Sequence, residues 1–241
     1  MGGARGLSAD ALQGRRLINL DTEEWGCFYI GCAGSLDIEA RRTSDGEAPP
    51  AGDYTAVRID VRGLRGGHSG IDIHAGRGNA IKLLVRLLLR LDQTNLSFRL
   101  ISLHGGTARN ALPREAHAQL LLPTSRLAEL DACLAQAQAE FRQTLAENGD
   151  ALRITRSLEE VDGTVPATTQ LPNPLPDQVM PLAEQRLWLA SLDAAPHGVR
   201  QMSRQVNPQM PSVTETSVNL GMVELGPSGG RANFMARSLI D

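Results

Sequence analysis

Lysine is nearly missing from this 241-residue sequence: Lys82 stands alone, and every other basic side chain among the 24 is arginine. That bias follows codon usage as readily as chemistry and carries no functional weight. Cysteine is scarce as well. Cys27, Cys32 and Cys133 are odd in number and irregularly spaced, with no CxxC pair or Cys/His ladder. A structural zinc ribbon or a disulfide framework is thereby excluded, and a reducing compartment fits. A surplus of positive charge is also lacking: the net charge is −3, so nothing neutralises a run of phosphates and a nucleic-acid partner is excluded. No apolar stretch reaches the length of a membrane span, and the first residues carry no apolar leader core, so the expectation is a cytoplasmic protein with no membrane partner.

What is present is enough apolar sequence for one sizeable core or two smaller ones. The chain opens on a glycine-rich stretch and closes on the apolar run Ala236-Arg-Ser-Leu-Ile-Asp241, which suggests a piece of a longer polypeptide. A short helix capped by Ser8, strands at 16–20, 28–30 and 36–42, and a hairpin loop or domain hinge at 45–53 are expected in the first part. Residues 54–61 alternate as a half-buried strand. A glycine-rich loop at 63–78 precedes a buried helix at 79–91, with Leu83, Leu84, Leu87, Leu88 and Leu91 on one broad face. Strands at 98–103 and 116–122 follow. A long helix capped by Ser125 then runs to about 148 and closes on Gly149, and another strand covers 152–158. This order is a split β-α-β-β-α-β plan, an antiparallel sheet with two helices on one face. A proline-rich linker at 164–176, a helix at 178–192 and paired strands at 215–225 and 231–240 complete the reading.

Several residues could carry chemistry. Asp21 leaves the carboxyl end of the strand Leu17-Ile-Asn-Leu20, where open α/β sheets place ligand groups; it reads as a metal carboxylate or as an ordinary turn residue. Glu23 and Glu24 read as solvated loop carboxylates. His68, inside Gly66-Gly-His-Ser-Gly70, could donate to a developing oxyanion or hold a ligand carboxylate, and a structural role is equally open. No strand-to-helix elbow accompanies Ser69, so a serine hydrolase is not indicated. His74 reads as packed under that loop. Asn110 offers a donor and an acceptor for a peptide group, against the commoner reading of an Asx-turn residue before proline. Arg237 lies among apolar residues in the last strand and needs a carboxylate, from the protein or from a ligand. Arg109 and Arg114 read as surface charges, and His104, His117 and His197 as structural or surface residues.

In order along the chain stand Leu17-Ile-Asn-Leu-Asp-Thr-Glu-Glu-Trp-Gly26, Gly31-Cys-Ala-Gly34, Gly66-Gly-His-Ser-Gly-Ile-Asp-Ile-His74 with Gly76-Arg-Gly-Asn-Ala80, Gly105-Gly-Thr-Ala-Arg-Asn-Ala-Leu-Pro-Arg-Glu115, Thr214-Glu-Thr-Ser217 with Asn219, and Arg237-Ser-Leu-Ile-Asp241. This set resembles the aminoacyl-histidine (Xaa-His) dipeptidases, relatives of carnosinase among the di-zinc exopeptidases. The resemblance implies an α/β chain: a catalytic-domain remnant at 1–34 and an α+β lid of the dimerisation type at 35–241. Of the family's zinc ligands, only the strand-end Asp maps here, onto Asp21. The HxD segment, bridging Asp, Glu-Glu general base and late His have no counterpart, and Glu23 and Glu24 are not that pair. The resemblance therefore implies two zinc ions in the full-length enzyme, tight zinc binding by this chain is not expected, and no residue of it is assigned a catalytic role. It also implies a dipeptide substrate, held by His68 near the scissile carbonyl, Asn110 near the peptide and Arg237 near the free carboxylate, and pairing into a homodimer. The chain alone is expected to be inactive. The competing reading is a non-catalytic lid module that binds peptides or pairs with another chain.

Overall fold

The computed structural model describes residues 6, 8, 10, 13–16, 25–26, 32–94, 96–158, 176–204 and 212–240. The chain divides into two compact units, Met1–Cys32 and Ala33–Asp241. The elements expected within 1–32, and the linker at 164–176 except Pro176, lie outside the described residues. All the described strands and helices belong to the second unit.

Its strands are β1 (Gly34–Thr43), β2 (Tyr54–Arg62), β3 (Gly67–His68), β4 (Arg99–Gly105), β5 (Ala111–Leu112), β6 (Ala116–Pro123), β7 (Arg153–Leu158), β8 (Gly198–Met202), β9 (Thr214–Gly226) and β10 (Gly229–Ser238). The α-helices are α1 (Ala80–Gln93), α2 (Leu127–Leu145) and α3 (Leu182–Ala194). The main sheet runs β1-β10-β9-β4-β6-β2-β7, with β8 paired onto β9, and β3 and β5 form a separate two-stranded ribbon. Every pairing is antiparallel. Within this, β2-α1-β4-β6-α2-β7 is the split β-α-β-β-α-β unit that the apolar patterning predicts, and the hairpin β9–β10 extends it past β4.

Alternation along the strands decides which face is covered. Val57, Ile59 and Val61 of β2 and Ala118, Leu120 and Leu122 of β6 point into one core with Leu84, Leu87, Leu88 and Leu91 of α1 and Leu130 and Leu134 of α2. Trp188, Leu189 and Leu192 of α3 join the same core, so three helices cover one face where the sequence suggests two. Each fully buried leucine contributes about 1.5–3 kcal/mol. The opposite face carries a smaller apolar cluster of Ala56, Leu121 and Val179 and, beyond it, polar groups. There Asp60 accepts from both Arg58 and Arg62, and the imidazoles of His104 and His117 stack 5.4 Å apart. Burial, then the Arg58 charge and the neighbouring His104, hold the His117 imidazole below its ordinary pKa.

Two side chains fasten the helices to the sheet. Asn79, just before α1, has extended backbone, and its Oδ1 accepts the amides of Ile81 and Lys82 at 2.9 and 3.2 Å, which satisfies donors that a helix start leaves open. Its Nδ2 donates to the Leu220 carbonyl at 2.8 Å and lies 3.3 Å from His197 Nδ1. Lys82 donates from Nζ to the carbonyls of Leu192, Asp193 and Ala195, each at 2.7 Å, and so closes the C-terminus of α3 with a cation.

Several expectations are corrected. Ser125 does not cap α2: it sits inside a 3-10 turn, Thr124–Arg126, and no side chain caps that helix start. The helix stops at Leu145, the left-handed residue is Ala146 with φ 47°, and Gly149 has φ −101°. Gly149 is needed for space instead, since a Cβ there would stand 2.9 Å from Leu145 Cβ. The helix expected from 178 begins at Leu182, because Pro181 supplies its N-cap and Val179 exchanges backbone bonds with Glu47. That same bridge excludes a hairpin at 45–53: the segment crosses from the edge strand β1 to β2, which lies on the far side of β6 in the sheet order. The short strands β3, β5 and β8 were not expected.

The fastening can be tested at two of its residues. Replacing Lys82 by Met strands three carbonyls at the end of α3, and should lower unfolding free energy by at least about 2 kcal/mol in urea titrations. Burial, then the charges of Lys82 and Arg86, push the His197 imidazole down from 6.5 to about 4. An unfolded chain therefore takes up a proton that the folded chain refuses as pH falls through this window. The stability difference between the native protein and H197Q should shrink by on the order of 3 kcal/mol between pH 7 and pH 4, with the loss complete below the folded value.

Candidate functional site

The segment after β2 turns back on itself through glycines that a side chain would obstruct. Gly66 and Gly67 have φ of 64° and 142°, and a Cβ on Gly67 would stand 2.4 Å from Asp72 Oδ2 and from Arg77 Nη1. Those two groups brace the loop. Asp72 accepts the His68 amide at 2.8 Å and pairs with Arg77 at 3.0 Å, and Arg77 donates to the Gly66 carbonyl at 2.8 Å. The His68 carbonyl accepts from Ile71 and Asp72.

His68 is exposed at the tip of this loop. Its Nδ1 accepts the Gly70 amide at 3.3 Å, so the neutral ring carries its proton on Nε2, where it can donate outward. A Cβ built on Gly70 would lie 3.2 Å from His68 Cε1 and 3.3 Å from both Cζ and Nε of Arg237. The imidazole and the guanidinium thus close on one point, and glycine at position 70 leaves the space between them open.

Arg237 is half-buried on β10. Its Nη2 approaches Met235 Sδ at 3.1 Å, a weak acceptor. Its Nε is buried with no hydrogen-bond partner, and among the described residues no carboxylate pairs with it. The sequence poses a choice between a protein carboxylate and a ligand carboxylate for this arginine; the described residues supply none.

Asn110 lies in the loop between β4 and β5. Its side chain is exposed, and its carbonyl accepts the Ser69 amide at 2.8 Å, while β3 and β5 pair His68 with Ala111. The structure therefore brings the His68 and Asn110 loops together over β9 and β10, beside Arg237. Asp21 lies outside the described residues, as do Glu23 and Glu24. His74 is exposed rather than packed under the loop. Arg109 is a surface charge, 3.1 Å from Asp37, Arg114 is exposed, and His197 is structural.

Two contributors were missed by residue-level reasoning. Met235 sits between Ser69 Oγ and the guanidinium of Arg237. Asn219 is 1% exposed, and its Nδ2 donates to the carbonyls of Arg109 and Ala111, both at 2.8 Å. The signal was in the pattern: Ser217 and Asn219 are polar residues at alternate positions of a long buried strand.

Two clefts open elsewhere. One of about 570 Å³ opens on the helix-free face between Arg42, His104 and Arg231, and one of about 310 Å³ lies between Gly66, Gly106 and Arg114. Neither includes His68, Asn110 or Arg237. We take those three as the better candidate, because volume alone supplies no unpaired charge. Zinc, which the resemblance implies, finds no cage here: among the described residues no group of three or more His, Cys, Asp or Glu side chains could hold a metal ion. Among them, too, no helix is long and apolar enough to cross a membrane.

Because Arg237 has no carboxylate partner among the described residues, removing it should cost little. Arg237→Met is expected to leave unfolding free energy within about 0.5 kcal/mol of native or to raise it, as measured by urea denaturation. A loss above about 2 kcal/mol would show a structural partner.

A family model for the peptidase dimerisation domain matches residues 59–149. The cytosol non-specific dipeptidase of Escherichia coli K12 is 37% identical over the whole of this chain and 46% of its own length. The crystal structure of aminoacylhistidine dipeptidase from Vibrio alginolyticus superimposes with a TM-score of 0.79 at 35% identity, covering all of this chain and 45% of that one. The chain thus spans a little under half the length of each of these two relatives, and the resemblance read from the ordered motifs holds along its entire length.

Proposed function

We propose that this chain, similar from end to end to part of the aminoacyl-histidine dipeptidases, is the lid-bearing part of a cytosolic dipeptidase that hydrolyses Xaa-His and other short dipeptides. The observation that carries the reading is the guanidinium of Arg237, without a carboxylate partner among the described residues and held beside His68. A dipeptide is short enough for its free carboxylate and its one peptide bond to be gripped by adjacent groups. Arg237 takes the carboxylate in a forked, charge-assisted pair. His68 donates from Nε2 toward the carbonyl oxygen as negative charge develops on it. Asn110 presents its carboxamide to the peptide unit.

Asp21 is the one residue that the resemblance assigns to zinc, and the remaining ligands and the general base of that family have no counterpart in this sequence. When bound in the full-length enzyme, a pair of zinc ions would supply the activated water. The residues of this chain hold and orient the substrate and favour charge on its carbonyl oxygen. A single carboxylate does not hold zinc tightly, so the isolated chain is inactive in this reading. Residues 1–34 are the remnant of the catalytic domain and 35–241 the lid.

The match to a dimerisation domain supports pairing with a second copy, and it also favours the second reading, a non-catalytic module that pairs or binds peptides. Hydrolysis of a histidine-containing dipeptide separates them. The 241-residue chain should show no turnover with or without added zinc. A full-length enzyme carrying this chain should be active with zinc, and Arg237→Met in it should raise KM by roughly 10- to 100-fold, the order expected for a lost charge-assisted pair. Zinc-dependent turnover by the chain alone would contradict the assignment.

A further inference from the structure

We infer that Asn219 is a positioning residue, which never touches the ligand but sets where His68 and Asn110 stand relative to Arg237. The role at the ligand rests on the dipeptide reading above; the hold on the loops does not.

The Nδ2 atom of Asn219 donates to two carbonyls, those of Arg109 and Ala111, each at 2.8 Å. These are the carbonyls of the two residues that flank Asn110 in the chain. The Asn110 carbonyl in turn accepts the Ser69 amide at 2.8 Å, and Ser69 follows His68 directly. One carboxamide on β9 therefore grips the Asn110 segment, and that segment grips the His68 loop. In register, Asn219 faces Met235 and Ser217 faces Arg237, so the carboxamide and the guanidinium stand on the same face of neighbouring strands.

The contact is built for closeness. A Cβ on Gly221 would stand 2.6 Å from the Arg109 carbonyl oxygen, and one on Gly106 (φ 73°) would stand 1.8 Å from that of Gly221. Only glycine at both positions lets the loop lie flat on β9 within reach of Asn219. The amide orientation is settled by chemistry, because both partners of Nδ2 are acceptors. Oδ1 is then left buried with no donor. An apolar residue of similar shape would avoid that cost, and would also release both carbonyls.

The test uses the 241-residue chain, with N219D, which keeps the shape but has no hydrogens to donate, and N219A. Hydrogen exchange of the Ser69 amide should accelerate at least tenfold in both variants, while amides of Leu84 to Leu88 in the core stay within twofold of native. Calorimetric titration with a histidine-containing dipeptide should show Kd raised at least fivefold, with acetate, which needs only Arg237, bound as by the native chain. Unchanged Ser69 exchange overturns the inference. Faster exchange with an unchanged dipeptide Kd overturns the role at the ligand. If the native chain binds no dipeptide, the proposed function fails, and the exchange result still decides whether Asn219 holds the loops.

Discussion

The site depends on β9 being fastened from both sides. On the helix side, Asn79 caps α1 with its oxygen and holds the Leu220 carbonyl with its nitrogen. On the other side, Asn219 and Gly221, the residues flanking Leu220, receive the loop that carries Asn110. A strand pinned this way cannot slide without breaking buried hydrogen bonds on both faces, and each bond broken in the interior costs more than it contributed when made. The strand's own neighbours add to the constraint: β10, β4 and β8 all pair with it. Lys82 extends the fastening to α3, so the helical layer and the site loops share one rigid reference.

Rigidity on that scale explains how a guanidinium with no carboxylate partner among the described residues is tolerated. Arg237 has its Nε buried without a partner, an arrangement that surrounding structure must impose. The space opposite it is kept clear by Gly70, where any side chain would press on both the imidazole of His68 and the guanidinium. The loop bearing His68 is braced independently by Asp72 and Arg77. A donor and a cation are thus held in place before anything binds, which reduces the ordering cost of recognition.

Much of this was legible in the sequence, for identifiable reasons. The leucines of α1 are close-spaced and uninterrupted, so the helix and its burial were plain. The alternation at 54–61 marked β2 as a strand, and the apolar run at 116–122 marked β6. Glycine pairs marked both loops because close backbone approach requires them. The rest depended on distant residues. Nothing local in Gly198–Met202 announces β8, whose pairing is with a strand beyond it in the chain. Ser125 has the chemistry of a cap, but Pro123 and Thr124 set a 3-10 turn that uses the position otherwise. Met235 and Asn219 matter only because two loops from elsewhere land on them, and no spacing rule foretells that. Asp21 stands apart: its case rests on the family motif and its place at a strand end, in residues the structure does not describe.

The most direct measurement follows the Nε–H resonance of Arg237 in the 15N-labelled chain while an Xaa-His dipeptide is added, and then the same dipeptide with its C-terminus amidated. The free acid should shift the Arg237 resonance saturably and the amide should leave it in place, as a carboxylate receptor requires. Equal shifts with both ligands, or none with either, would contradict the assignment of Arg237 as a carboxylate receptor and with it the account of the lid as half of a dipeptide site.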